Sequence, residues 1–229
     1  MLADYPYLEA LLTGLISGFL VSIPVGPINV TIIHEGAERG FRWACFIGFG
    51  AVLMEAIYCA IGFAGFSELF TTNIAKAVLQ LASFALMAYL GIKYLFAKEV
   101  KTTSRGAERM EDRFHPHTAF MTGFVRTLGN PGVLLLWVAL SATFLAHEWV
   151  EPTWRSKSLC IAGVATGGLV WFTLMSYVVS VGHKHLSDKS LLNMTRSAGG
   201  MLLVAALALG YKLALLLAIV LKGAGTVKP

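Results

Sequence analysis

Two breaks inside long apolar stretches restrict this chain more than any other feature. Pro24 and Pro27 lie in Ser22-Ile23-Pro24-Val25-Gly26-Pro27-Ile28-Asn29, within the first such stretch, and Gly129-Asn130-Pro131-Gly132 interrupts the matching stretch of the second half. A proline has no backbone donor and clashes with the preceding turn, so a helix breaks or kinks there. In hydrocarbon the freed carbonyls and amides find no water, and irregular backbone persists only against protein or around a wet cavity. Interrupted helices at corresponding places in two halves of a membrane chain point to a central substrate site. A simple packed kink is the alternative at either position.

Composition places those stretches in a bilayer. The chain has 229 residues, 56% hydrophobic and 14% charged, against about 25% charged in soluble domains. Roughly 20 apolar residues span about 30 Å of hydrocarbon. Six stretches qualify, at about 8–32, 41–65, 74–97, 118–147, 157–182 and 194–221. The expected fold is therefore all-α and integral to the membrane: six transmembrane helices as two inverted three-helix repeats, with the first and fourth helices interrupted. Residues 1–97 form the first repeat, 98–117 a cytoplasmic basic linker and 118–229 the second. The first ten residues carry Asp4 and Glu9 and no Lys or Arg, unlike the positive start of a secretory signal, so the first stretch is read as a structural helix.

The net charge of +5 reads as the positive-inside pattern and contact with anionic lipid, not as nucleic-acid binding. With the amino terminus outside, the inner loops hold Arg39, Arg42, Lys98, Lys101, Arg105, Arg109, Arg113, Lys184, Lys189 and Arg196, ten in all. The outer segments hold five: Lys76, Arg155, Lys157, Lys222 and Lys228. That asymmetry predicts both termini on the periplasmic side. The linker mixes Glu108, Arg109, Glu111, Asp112 and Arg113 with Pro116 and reads as solvated, with room for a short helix.

The halves echo one another. Gly18-Phe19 precedes the first break as Gly123-Phe124 precedes the second, and the next stretch of each half begins glycine-rich, at Gly48-Phe49-Gly50 and from Gly163 to Gly168. Three spans is an odd number, so the second half enters from the opposite side, the arrangement that suits alternating access. Gly14 with Gly18, and Gly163 with Gly167, are small residues four apart and read as close helix contacts. Gly26 and Gly132 adjoin prolines, where a residue without Cβ permits unusual backbone or close approach.

At the first break Ser22, Asn29 and freed backbone groups are the candidates for substrate. Helix amino termini direct positive dipole ends at a carboxylate, and freed carbonyls suit an ammonium group, so a zwitterion matches. Glu55, in the middle of the second span, costs about 2.5–3.5 kcal/mol to insert and should face a partner or a wet cavity. Its carboxyl can take up and release a proton, which makes it the candidate proton carrier. Arg126, shortly before the second break, is its expected ion-pair partner or a ligand for a substrate carboxylate; a static structural pair is the competing reading. Tyr58, three residues after Glu55, offers a hydroxyl to the site or packs as a core aromatic.

Enzyme signatures are absent from the sequence. His34-Glu35 lacks the second His of a zinc-protease helix, no phosphate loop ending in Gly-Lys-Ser/Thr occurs, and Cys45, Cys59 and Cys160 form no CxxC. The cysteines read as isolated buried thiols. His115-Pro116-His117 and His183-Lys184-His185 are weak metal candidates, read as interfacial and solvated, as are His34 and His147.

These residues together resemble the LysE/RhtB family of amino-acid exporters, over nearly the whole chain. The most specific element is Pro24-Val25-Gly26-Pro27-Ile28-Asn29, similar to the family's Pro-Gly-Pro-Asn-type motif, followed by Arg39-Gly40-Phe41-Arg42 and Gly48-Phe49-Gly50. Leu128-Gly129-Asn130-Pro131-Gly132 resembles its Leu-Asn-Pro-Lys motif. One extra residue stands between the first proline and the glycine, and Gly132 stands where Lys is frequent. The resemblance implies proton-driven secondary efflux of amino acids or related small metabolites across a bacterial inner membrane. The expected substrate-binding residues are Ser22, Pro24, Gly26, Pro27, Asn29, Tyr58, Arg126, Asn130, Pro131 and Gly132, with Glu55 coupling protons. The expected partners are an amino-acid-like small molecule, protons and membrane lipid, with a homo-oligomer allowed and no nucleic acid; no cofactor and no metal is called for. Divalent-cation efflux is the rival transport reading, and an intramembrane enzyme or assembly factor a third.

Overall fold

The computed structural model describes residues 6–23, 27–66, 73–98 and 105–182, and, further on, residues 189, 192–193, 195–197, 199–204, 206–207 and 210–211. Every element among them is an α-helix. Helix α1 (Pro6–Ser22) stops before the first break and α2 (Pro27–Arg39) begins after it, with residues 24–26 outside the described set. Proline suits the first helical position because that amide would be an orphan in any case. Gly40, at φ +83° with open space around it, ends α2, and its amide closes on the Gly36 carbonyl. This left-handed stop is natural to glycine. The chain then turns directly into α3 (Phe41–Phe66), followed by α4 (Asn73–Leu95).

The linker contains a helix, α5 (Arg105–Phe114), that is not simply solvated. It packs on α6 (Ala119–Leu128), and Ala107 is fully buried. Helix α7 (Pro131–Ala146) starts on the second proline and is bent 71° from α6. The 29-residue α8 (Trp154–Gly182) is the longest element among the described residues.

Among the described residues two helices, Phe41–Gly65 and Trp154–Val181, are long and apolar enough to cross a bilayer by themselves, and the bent pair α6–α7 passes as one broken span. Helix α1 and the Phe84–Leu95 part of α4 are apolar but shorter. Their outward faces suit lipid. Phe46, Leu53, Ile57 and Ile61 line the exposed side of α3, and Val170, Leu174, Val178 and Val181 that of α8. A contiguous apolar exterior of this kind marks a membrane-facing surface.

Close glycine contacts hold the helices together. The most extensive packing is α1 on α8. A Cβ on Gly14 would come within 2.0 Å of the Cys160 carbonyl oxygen, and one on Gly167 within 2.1 Å of that of Leu15, so backbone lies on backbone. Helices α6 and α3 meet in the same manner, at Gly123 against Ile47 and Gly50 against Phe120. Bare glycines let helix axes approach where no hydrophobic force from water acts. Helix α3 sits at the centre of the described bundle and packs on α2, α6, α7 and α8.

Candidate functional site

At the first break, α1 ends on a buried Ser22 whose hydroxyl donates back to the Gly18 carbonyl at 2.8 Å. The last carbonyls of a helix have no partner within it. Asn29, buried on the first turn of α2, supplies one: its Nδ2 donates to the Ser22 carbonyl at 2.9 Å. The other end of the same amide, Oδ1, accepts from Trp171 Nε1 of α8 at 3.1 Å. Asn29 thus fastens the two half-helices to one another and to α8. Trp171 is held edge-on by Phe19 of α1, with ring centroids 5.6 Å apart. Nothing in the sequence marked Trp171, since a lone aromatic in an apolar helix has no local signal.

Glu55 of α3 faces this break. It is 6% exposed, and its Oε2 makes no hydrogen bond with the described residues. A side chain on Gly168 of α8 would fall 3.5 Å from Ser22 Oγ and 3.9 Å from Glu55 Oε2. The bare face of Gly168 is therefore bordered by the Val52 methyl at 3.0 Å, and beyond it by the hydroxyl of one helix and the carboxyl of another.

The second break is organised from the same helix. Tyr58, one turn from Glu55, donates its phenolic hydroxyl to the Leu128 carbonyl at 2.7 Å and lies 3.4 Å from that of Thr127. It holds the last turn of α6 where the chain leaves it. Asn130 Oδ1 accepts the Gly132 amide at 3.1 Å and caps α7, with Pro131 at the first helical position. A Cβ on Gly132 would sit 3.3 Å from that capping oxygen. Thr127, 1% exposed, stands at the end of α6 as Ser22 does at the end of α1, and its Oγ1 makes no hydrogen bond with the described residues.

Arg126 is not paired with Glu55 as expected from the sequence. Its Nε donates to Glu111 Oε1 of the linker helix, its Nη2 to Glu111 Oε2 at 3.4 Å, and its Nη1 to Thr31 Oγ1 of α2. Thr31 is remote along the chain, and Glu111, only 15 residues away, lies in a linker whose composition reads as solvated. The guanidinium thus joins the half-helices that flank the two breaks and ties them to the linker. Pro24 and Gly26 lie outside the described residues, and Pro27 opens α2.

The cysteines are free and buried, but Cys59 and Cys160 are not isolated from one another. They lie close together on α3 and α8, and Cys59 Sγ lies 3.8 Å from Ser141 Oγ. Among the described residues no three His, Cys, Asp or Glu side chains gather as metal ligands.

Two known proteins resemble this chain over most of its length. The chain is 29% identical over 203 residues to a Bacillus subtilis (strain 168) protein named "Putative amino acid efflux protein YcgF", covering 88% of this chain and 95% of that one. It is 24% identical over 164 residues to the "Chemotactic transduction protein ChpE" of Pseudomonas aeruginosa, covering 72% of this chain and 79% of that one. No solved structure matches. The family model described as LysE type translocator matches residues 19–213, both breaks included, and the chain belongs to that family of membrane transporters.

Proposed function

We propose that the protein is a secondary active exporter of small amino acids or related metabolites, driven by proton antiport and working by alternating access. The observation that carries this reading is the placement of both breaks on one helix. Glu55 borders the first break and Tyr58 holds the second; three residues of helix separate them by about 5 Å along the axis. A buried carboxyl and the hydroxyls of Ser22, Tyr58 and Thr127 stand beside the two breaks, a set of groups that suits a zwitterion with its ammonium toward Glu55 and its carboxylate toward Arg126. The name of the Bacillus relative, which covers nearly the whole chain, favours the same substrate class.

The working form is six spans in two inverted repeats, residues 1–97 and 118–229, joined by the linker 98–117. Two correspondences support it. Helix α1 meets α8 as α6 meets α3, in each case by glycine on opposing backbone. Each first half-helix ends on a buried hydroxyl, Ser22 or Thr127. Exchange of conformation between the halves would move the opening from one face to the other. The protein would sit in the bacterial inner membrane, with both termini periplasmic and the linker cytoplasmic. Substrate contacts fall to Ser22, Asn29, Tyr58, Arg126, Asn130 and Gly132 and to the proline backbone at 24–27 and 131; Glu55 exchanges the proton.

Divalent-cation efflux is the rival, and it asks for several convergent acids or imidazoles. One experiment separates the two. Reconstituted vesicles under an imposed pH gradient are offered the labelled proteinogenic amino acids, then divalent metal ions. Gradient-driven movement of an amino acid supports the reading; movement of a metal ion alone, or of neither, overturns it.

A further inference from the structure

We propose that Glu111 of the linker helix is an internal stand-in for the substrate's carboxylate, holding Arg126 until the substrate displaces it. The inference rests on the amino-acid reading above and adds to it a loading site and its control. Glu111 engages Arg126 through both carboxylate oxygens, one on Nε and one on Nη2. This side-on fork is the geometry by which Arg recognises any carboxylate. The remaining arm, Nη1, is anchored on Thr31 of α2. The guanidinium is thus held by the half-helix beyond the first break, itself projects from the half-helix before the second, and offers its other edge to one carboxylate at a time.

Two further features separate this pair from a buried strut. Both side chains remain about a fifth exposed, 21% for Arg126 and 22% for Glu111, so a small solute can reach them. Glu111 also belongs to neither half: it arrives on α5, which packs on α6 and buries Ala107. On the proposed topology the linker lies in the cytoplasm, the side from which an exporter loads. An incoming α-carboxylate takes over the fork on Arg126, Glu111 is released, and α5 loses its polar tie to α6. The ligand chemistry this selects is a free carboxylate; the corresponding carboxamide offers one oxygen and no charge, and cannot replace Glu111.

The test uses the full chain in vesicles, with each proteinogenic amino acid and its carboxamide as probes of counterflow. Glu111→Gln keeps size and hydrogen bonding but gives up the charge that competes. Its apparent KM for the amino acids should fall at least threefold, with inhibition by the carboxamides unchanged. The double variant Glu111→Arg with Arg126→Glu restores an ion pair in reversed order. It should melt like the wild type and yet lose amino-acid counterflow at least tenfold. Either variant suffices if the other does not fold. An unchanged or raised KM in Glu111→Gln overturns the proposal, as does wild-type transport by the reversed pair, which would make the contact purely structural. If the wild type handles acid and carboxamide equally, this inference fails while the exporter reading stands. If it moves no amino acid at all, the exporter reading fails first.

Discussion

Replacing Tyr58 with phenylalanine removes one hydroxyl and nothing else, and the structure gives that hydroxyl a single task. It donates at 2.7 Å to the Leu128 carbonyl, on the last turn of α6, where no later turn of the same helix can supply an amide. The neighbouring Thr127 carbonyl accepts from the Asn130 amide at 3.0 Å, so the loss falls on Leu128. Tyr58 is itself 4% exposed, and no water replaces the missing donor. A buried acceptor stripped of its partner costs about 1–3 kcal/mol. Two consequences should be separable in the purified protein. The thermal midpoint in detergent should fall modestly. If the second break carries substrate, counterflow should fall by roughly 5–150-fold, since that is what 1–3 kcal/mol becomes when the altered geometry is that of the transporting state. The assay is initial counterflow rate against substrate concentration, at matched reconstitution. A lowered midpoint with normal counterflow would leave Tyr58 as a strut for α6 and detach the second break from transport. An unaltered midpoint and unaltered counterflow would mean that the bond to Leu128 contributes nothing.

Glu55→Gln should abolish efflux driven by a pH gradient while leaving exchange of internal for external substrate measurable, because Gln cannot titrate; full gradient-driven efflux in that variant would assign Glu55 to structure. Gly123→Ala places a methyl 1.8 Å from the Ile47 carbonyl oxygen, a backbone clash that should reach or exceed the roughly 1–3 kcal/mol of ordinary overpacking and lower the yield of folded protein; Gly65→Ala, with open space around it, should be neutral. Equal yields from the two would remove the close α3–α6 contact. Reporters fused after Lys101 should read cytoplasmic and those at Ala3 and Lys228 periplasmic, and opposite labelling at either terminus contradicts the six-span topology. Cysteines at Asn29 and Asn130 should be shielded from small polar thiol reagents by a transported amino acid, and Pro27→Ala should weaken transport more than expression; reactivity indifferent to substrate at both positions would reduce the breaks to kinks.

What could be read in advance divides along the range of the forces involved. Proline acts within its own turn, so the second break and the starts of α2 and α7 are written at Pro27 and Pro131 themselves. Glycine spacing is nearly as local, and Gly14, Gly18, Gly163 and Gly167 do meet across α1 and α8. The polar contacts follow another rule. Those that join the helices bring together residues of different elements: Asn29 with Trp171, Tyr58 with Leu128, Arg126 with Glu111 and Thr31. The requirement that a buried polar group find a partner is visible in the sequence; its choice of partner is not. Arg126 illustrates the gap. The argument that a charge near mid-bilayer needs an opposite charge is sound, and Glu55 is the acid the spans offer. But the linker helix folds back on α6, buries Ala107 and brings Glu111 within reach, an outcome set by a segment whose composition reads as solvent-exposed. Glu55 keeps an oxygen without a partner among the described residues. A salt bridge to Arg126 would have made Glu55 a neutralised strut. Left without it, the carboxyl beside the first break keeps the freedom that the proposed coupling role requires.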